Sequence, residues 1–503
     1  MKMLGKLLLL GLLTVTATHA RAGVTQGNDP QANTPHDSSD GCACGSSKGM
    51  PVYSFKSLLA GLNIRDTPIG YSPPVGPTVD TTITYNERET LQPGVFDTFN
   101  VGQKWTLNWI GWIQDNPASP GNQVLRYVAG GGGWAYSGYN AATGTFSPEP
   151  DNGAVLVRTS ANPITYELRF ADGRRDIFAS PNGATGYPRR VMLTEIVDAQ
   201  GNALTLNYDN QLRLTTVSDA IHQLTSFTYG DSADPRLVTG VTDPFGRHAT
   251  LAYDSHGRLI SITDVIGLTS TFTYDGSTFV KTMTTPYGTT TFTHTEGANG
   301  NSTELSIQAT DPDGHTERTE YLPSAPGVPF SVSQVPSGMN AFNAYLNYRD
   351  SYYWDKDAFA AACTQSGGAT NCDYSKARMK HFLHVNPCCY YTSRVLENVK
   401  YPLEGMIWYD YAGQAAPYYP GTLNKPSNVG RVLNDGSTQI THYTYNANGL
   451  VTSKVDPDGR QTVYTYAPNG IDLIKVQQKT ASGFDTLVST TYNSQHEPLT
   501  FTD

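Results

Sequence analysis

Between Thr250 and Tyr274 apolar and polar side chains alternate in short runs: Thr250-Leu251-Ala252-Tyr253, then Leu259 to Thr263, then Thr269 to Tyr274. Alternation with a period of two marks a strand with one buried face. Phe272 and Tyr274 share parity, so both rings point to one side while Thr271 and Thr273 face the other. Asp254-x-x-Gly257 and Asp264-x-x-Gly267 separate the runs. Aspartate opens such a turn by accepting bonds from its own backbone, and glycine closes it by adopting positive φ. The pattern predicts two strands per unit, joined by tight turns and stacked into one continuous antiparallel ribbon.

The unit recurs. Tyr208, Tyr229, Tyr253 and Tyr274 lie 21, 24 and 21 residues apart, and Asp219 and Asp264 each follow a tyrosine by eleven. Later Tyr445 is followed by Asp456 and Tyr466, and Tyr492 by Asp503. Such a period means an array of small units, none of which can bury its apolar face alone. Repeats are expected over residues 191–321 and 439–503.

Two other stretches lack the beat. Residues 51–190 read as irregular β, with Trp105, Trp109, Trp112 and Trp134 and a glycine run from Gly130 to Gly133. An N-terminal β cap is expected there, because a repeat array needs a terminal unit over its first layer. Residues 322–438 read as an insertion packed on the array. Asp355 to Ala362 predicts a helix, and a second is expected from Asp373 as N-cap, with Met379, Phe382 and Leu383 at helical spacing.

Composition supports a mostly β chain: 31 tyrosines, 48 glycines and 31 prolines against 16% charge. Lys2 and Lys6, the apolar run Leu7 to Leu13 and the ending Ala20-Arg21-Ala22 predict a signal peptide over residues 1–22. The run is far below the ~20 residues that span a bilayer. A flexible polar lead-in over residues 23–50 follows. Losing Lys2, Lys6 and Arg21 leaves 31 basic against 44 acidic residues, a net charge of −13. That balance argues against nucleic acid, which is bound by phosphate neutralisation. No later segment is apolar enough to span, so the expected location is secreted or cell-surface. Six cysteines fit an oxidising compartment. Cys42 and Cys44 lie in the lead-in, and Cys363, Cys372, Cys388 and Cys389 cluster. Adjacent Cα atoms lie only ~3.8 Å apart, so a bridge within the doublet would be strained. The expected pairing joins Cys363 and Cys372 each to one member of it.

The repeats resemble the YD repeats of bacterial RHS proteins, which also occur in the C subunits of insecticidal toxin complexes and in animal teneurins. The residues that carry the likeness are Tyr253-Asp254-x-x-Gly257-Arg258-Leu259 with Thr263-Asp264, and Val241-Thr242-Asp243-Pro244-x-Gly246-Arg247. Tyr445-Asn446-x-x-Gly449-Leu450 and Val455-Asp456-Pro457-Asp458-Gly459-Arg460 are further copies. Gly102-x-x-Trp105-x-x-Asn108-Trp109, Phe170-x-Asp172-Gly173 and the stretch Arg394 to Glu404 also have the family's look. The resemblance covers most of residues 80–503. It implies a ribbon or partial shell, with the β cap and a small disulfide-stapled helical insertion. In that family the shell encloses a toxic C-terminal domain and ends in an autocleaving aspartate segment. The expected function is therefore a secreted, non-catalytic scaffold, the N-terminal portion of a toxin-encapsulating or contact-dependent competition protein. Its partners would be a C-terminal toxin or an immunity protein. The repeats run to Asp503 without the closing segment, so an array unfinished within this sequence is expected. Teneurins imply a rival: a cell-surface adhesion protein whose aromatic rows bind glycans, since a sugar's apolar face stacks on a ring.

Candidate chemistry is sparse. Asp311-Pro-Asp313-Gly314 and Asp456-Pro-Asp458-Gly459 place glycine fourth where a calcium loop has it sixth, and Leu322 and Ala467 stand where it needs glutamate. They read as turns. His381-x-x-His384-x-x-x-Cys388, with Cys372, has a spacing that could hold zinc on one helical face. A surface helix beside disulfides is the preferred account, and no metal or cofactor is expected. Nucleophile elbows, phosphate loops and zincin signatures are missing from the sequence.

Overall fold

A computed structural model describes residues 50–119, 121–296, 305–384 and 392–503. The expected signal peptide, nearly all of the lead-in with Cys42 and Cys44, and the doublet Cys388–Cys389 lie outside them. The described chain is mostly β, as the alternation predicts. From Arg189–Val197 to Pro498–Thr502 strands pair antiparallel in chain order, apart from one small hairpin. Arg189–Val197 is a branch point. Along one edge its first half pairs with Trp112–Asp115 and its second with Ala203–Tyr208, while Arg175–Ala179 follows the other edge.

The clean repeat folds as its pattern dictates. Strands His248–Tyr253, Leu259–Thr263 and Thr269–Tyr274 pair in sequence. Leu251, Ile262 and Phe272 are buried on one face. The other face carries threonines that bond across strands, Thr263 to Thr269 at 2.9 Å and Thr273 to Thr282 at 2.6 Å.

The buried face is covered from within the chain. A separate antiparallel sheet of β1 (Val52–Lys56), β2 (Gly61–Tyr71), β3 (Val79–Asn86) and β4 (Trp105–Leu107) lies against it. Ile64, Ile83, Tyr85 and Trp105 share one core with Leu204, Val217, Leu251, Ile262, Phe272 and Ile307. Polar tips lock the contact. Tyr71 donates to Asp219 at 3.0 Å, Tyr85 to the Thr278 carbonyl at 3.0 Å, and Trp105 Nε1 to the Tyr274 hydroxyl at 2.9 Å. The region expected as one cap thus divides: residues 52–107 fill the inside of the ribbon, and the strands from Trp112 onward extend it.

The stretch 322–438 also differs from its reading as an insertion. Five of its strands, Tyr348–Trp354, Arg378–His384, Thr392–Lys400, Ile407–Asp410 and Asn428–Val432, continue the ribbon. The inserted part is small. Helix α1 (Lys356–Ala362) forms where expected, with the Asp355 side chain accepting from Ala358 N–H at 2.8 Å. The second helix does not form. Asp373 caps a single 3-10 turn, Tyr374–Lys376, and Met379, Phe382 and Leu383 lie on a strand. That strand is paired on both edges and buried on both faces, which erases the alternation that would have betrayed it.

The expected disulfide pairing is overturned as well. Cys363 is bonded to Cys372, not to the doublet. The two stand opposite each other across the hairpin Cys363–Ser366 and Ala369–Cys372. Gly367 and Gly368, at φ 60° and 83°, make the turn that places them there.

Candidate functional site: the repeat signature and a buried charge cluster

Each signature aspartate is the hub of its turn. Asp219 Oδ1 accepts from Ile221 N–H at 3.0 Å and Gln223 N–H at 2.8 Å. Asp243, Asp254, Asp264 and Asp456 repeat this two and four residues on, and Asn446 does so at Tyr445's unit. Gly246, Gly257, Gly267, Gly449 and Gly459 occupy the fourth position with φ between 71° and 85°. Leu212, His222 and His496 hold that place in other units at φ 58°, 66° and 60°. Arg258 returns to Asp254 at 2.7 Å, and Arg247 and Arg460 do the same for Asp243 and Asp456. The bonds from the turn and the arginine hold the Asp254 and Asp456 carboxyls below the usual range.

The tyrosine period has a reason that spacing alone does not reveal. Each phenol donates to a carbonyl fifteen residues earlier: Tyr208 to Leu193, Tyr229 to Leu214, Tyr253 to Val238, Tyr274 to Leu259 and Tyr466 to Val451, at 2.6–3.0 Å. Tyr445 reaches the Pro426 carbonyl at 2.8 Å. Ring and hydroxyl together fasten each unit to the one before it. The signature is one structural device repeated, and its carboxylates are committed to turns.

The zinc candidates are not brought together. Cys372 is in the disulfide, Cys388 lies outside the described residues, and His381 and His384 sit on a strand. His381 belongs to a different constellation. Its ring is fully buried, with Nδ1 2.6 Å from Asp350 and Nε2 3.2 Å from Glu397. Arg349, at φ 58°, donates to the Phe382 carbonyl at 2.9 Å. Burial opposes a charge on the His381 ring, but the two carboxylates outweigh it and raise its pKa to about 9. Burial raises the Asp350 carboxyl to about 6, with His381 pulling the other way. Glu397 fell within the Arg394–Glu404 likeness; Asp350 and Arg349 carry no sequence signal, because the cluster is assembled across three neighbouring strands from separate stretches of the sequence.

Two groups among the described residues have the spacing for a cation, Glu87–His294–Glu296 and Asp311–Asp313–His315. In each the chain supplies its own cation, Arg88 to Glu296 and Lys356 to Asp311, both at 2.7 Å.

Turn and phenol anchor define an antiparallel β-repeat protein. Two regions match a known repeat family: the profile of the family described as RHS Repeat covers residues 253–290 and 431–470. A comparison with characterised protein sequences gives no match. Among solved structures, the TcdB2-TccC3-Cdc42 crystal structure is similar over 88% of this chain and 22% of that one, at 10% identity and a TM-score of 0.33. The Photorhabdus luminescens Tc holotoxin pore carrying TccC3-D651A is similar over 88% and 22%, at 11% identity and a TM-score of 0.32. The chain therefore spans about a fifth of the length of those structures. Among the described residues, no helix is long and apolar enough to cross a membrane.

Proposed function

We propose that this chain is an exported, non-catalytic RHS scaffold whose ribbon holds polypeptide on its inner face. It would be the N-terminal portion of a toxin-encapsulating or contact-dependent competition protein, partnered by a C-terminal toxin or an immunity protein. One observation carries the reading. Over the first array the inner row Leu251, Ile262 and Phe272 is buried beneath the sheet of β1 to β4. At the equivalent places of the second array Tyr443 and Tyr464 are half-buried and Lys454 is exposed. The repeat geometry is the same and the filling is different. Half-buried rings without their cover are what a second polypeptide would occupy.

The test reads the coding sequence past residue 503 and co-expresses the polypeptide found there, or in the adjacent gene, with this chain. The expected result is a stable complex in which amides of Tyr443 to Tyr466 gain protection from hydrogen exchange. A stop codon followed by an unrelated gene, with no complex, sinks the reading. The rival, a glycan-binding adhesion protein built on the repeat aromatics, is weakened because those phenols are spent on backbone carbonyls.

A further inference from the structure

One aromatic cluster lies outside the repeats and does none of their work. Phe342, Tyr345 and Tyr348 are 38%, 54% and 42% exposed, and half-buried Tyr418, Tyr419 and His384 adjoin them. Ring centroids run in an unbroken chain: Tyr348 to Tyr345 at 6.3 Å, Tyr345 to Phe342 at 6.0 Å, Phe342 to Tyr418 at 6.2 Å. From Tyr418 the chain continues to Tyr419 at 4.6 Å and His384 at 5.9 Å. Interplanar angles of 53° to 70° make the surface faceted rather than flat.

The rings are exposed, yet their backbone is fixed. Glu397 accepts Phe342 N–H at 3.2 Å, and Asp410 accepts Asn340 N–H at 2.9 Å. Trp408, fully buried, donates to the Gln334 carbonyl at 2.9 Å and packs with Leu346 and Met406 under the same loop. On the other side Gln414 bonds the carbonyls of Pro417 and Tyr419, and His384 N–H the carbonyl of Tyr418. Tyr345 is held at φ 65°, where a bulky residue is strained. Strain that the surroundings enforce, on a side chain turned to solvent, is a mark of a functional surface.

We propose that this cluster is a binding platform for a neutral carbohydrate chain. Pyranose faces stack on aromatic rings while hydroxyls need polar partners at the rim. Among the described residues the Tyr345, Tyr348, Tyr418 and Tyr419 hydroxyls take no partner from the chain, which leaves them for a sugar. Two basic groups beside the rings offer little to an acidic glycan: Arg349 donates to the Phe382 carbonyl, and burial with Arg349 and His381 keeps His384 below its ordinary pKa. A peptide added as a strand has no edge here, since Tyr348–Trp354 is paired on both sides. Fixed loops mean little ordering entropy is lost on binding.

The test titrates the full chain with chitohexaose, cellohexaose and maltohexaose, and with heparin and a proline-rich decapeptide for comparison. At least one neutral hexasaccharide should bind below millimolar, with saturation transfer from aromatic protons. The double variant Tyr345→Ala, Tyr348→Ala should weaken it about tenfold or more, the loss of a ring contact or two. Both rings are exposed, so its melting temperature should match that of the parent. Should that variant fold poorly, Tyr345→Phe with Tyr348→Phe keeps the stacking and should weaken binding by a smaller factor. Absence of neutral-glycan binding, binding indifferent to both variants, or capture of heparin or peptide alone each overturns the proposal. The inference is independent of the scaffold reading, whose test concerns Tyr443 to Tyr466.

Discussion

A repeat tyrosine is worth more than its ring. Tyr253 donates to the carbonyl of Val238, a residue with no exposed surface, so Tyr253→Phe leaves a buried acceptor unpaired. Removing one partner of such a bond costs about 1–3 kcal/mol. Urea denaturation of Tyr253→Phe should show a loss in that range, while Tyr464→Phe, whose hydroxyl has no described partner, should stay near zero. The turn glycines permit a second, cleaner comparison. A Cβ on Gly246 would meet nothing within 4 Å, so Gly246→Ala measures the cost of positive φ alone, about 1 kcal/mol. His222, exposed at φ 66° in the same place of its own turn, should gain by roughly 0.5–1 kcal/mol when replaced by glycine. Calorimetry should find the two changes opposite in sign. Residue spacing made aspartate, glycine and tyrosine legible in sequence, because turn chemistry is local. The phenol's acceptor was not, because it lies across a strand pair.

Strands whose pattern was legible have one solvated face; the strand that mimicked a helix has none. Thr269–Tyr274 alternates and was legible, whereas Arg378–His384 is covered on both faces and left apolar residues at a spacing that mimics a helix. The cysteines were misread for the opposite reason: the hairpin that sets Cys363 opposite Cys372 is short, polar and largely exposed, and carries no strand signature. Non-reducing peptide mapping should recover that bond as a single linked species. Burial on both faces also explains why the His381 cluster was missed, and it sets the price of disturbing it. Removing one member of a buried ion pair typically costs 3–5 kcal/mol, so His381→Gln should lower stability by about that amount at pH 6. Its folded pKa of about 9 lies above the ordinary 6.5, so its contribution is full below pH 6.5 and fades as pH rises through 9. The parent should therefore lose its advantage over His381→Gln across that window, and parallel pH–stability curves would refute the charged ring.

At the scale of the whole molecule, one ribbon is stabilised in two different ways. Its first array shares a core with β1 to β4, which enter from the sequence before the repeats and cover Leu251, Ile262 and Phe272. The second array has the same turns and phenol anchors, but Gln461–Tyr466 and Leu473–Thr480 hold no fully buried hydrophobic side chain, and Pro498–Thr502 is exposed throughout. Periodicity announced both arrays alike, because it reports strands and turns. What fills the ribbon is a tertiary fact, set by which other segment reaches the inner face, and no local pattern encodes it. In a repeat array stability is a sum of unit and neighbour terms, so units lacking the inner cover open more readily. Native-state hydrogen exchange should therefore divide the ribbon by filling rather than by sequence. Amides of Gln461–Tyr466 and Leu473–Thr480 should exchange about tenfold or more faster than those of His248–Tyr253 and Thr269–Tyr274, though both sets are bonded in antiparallel ladders. Equal protection in the two arrays would mean that the inner sheet adds nothing to the first, and that the open row of Tyr443 and Tyr464 needs no occupant.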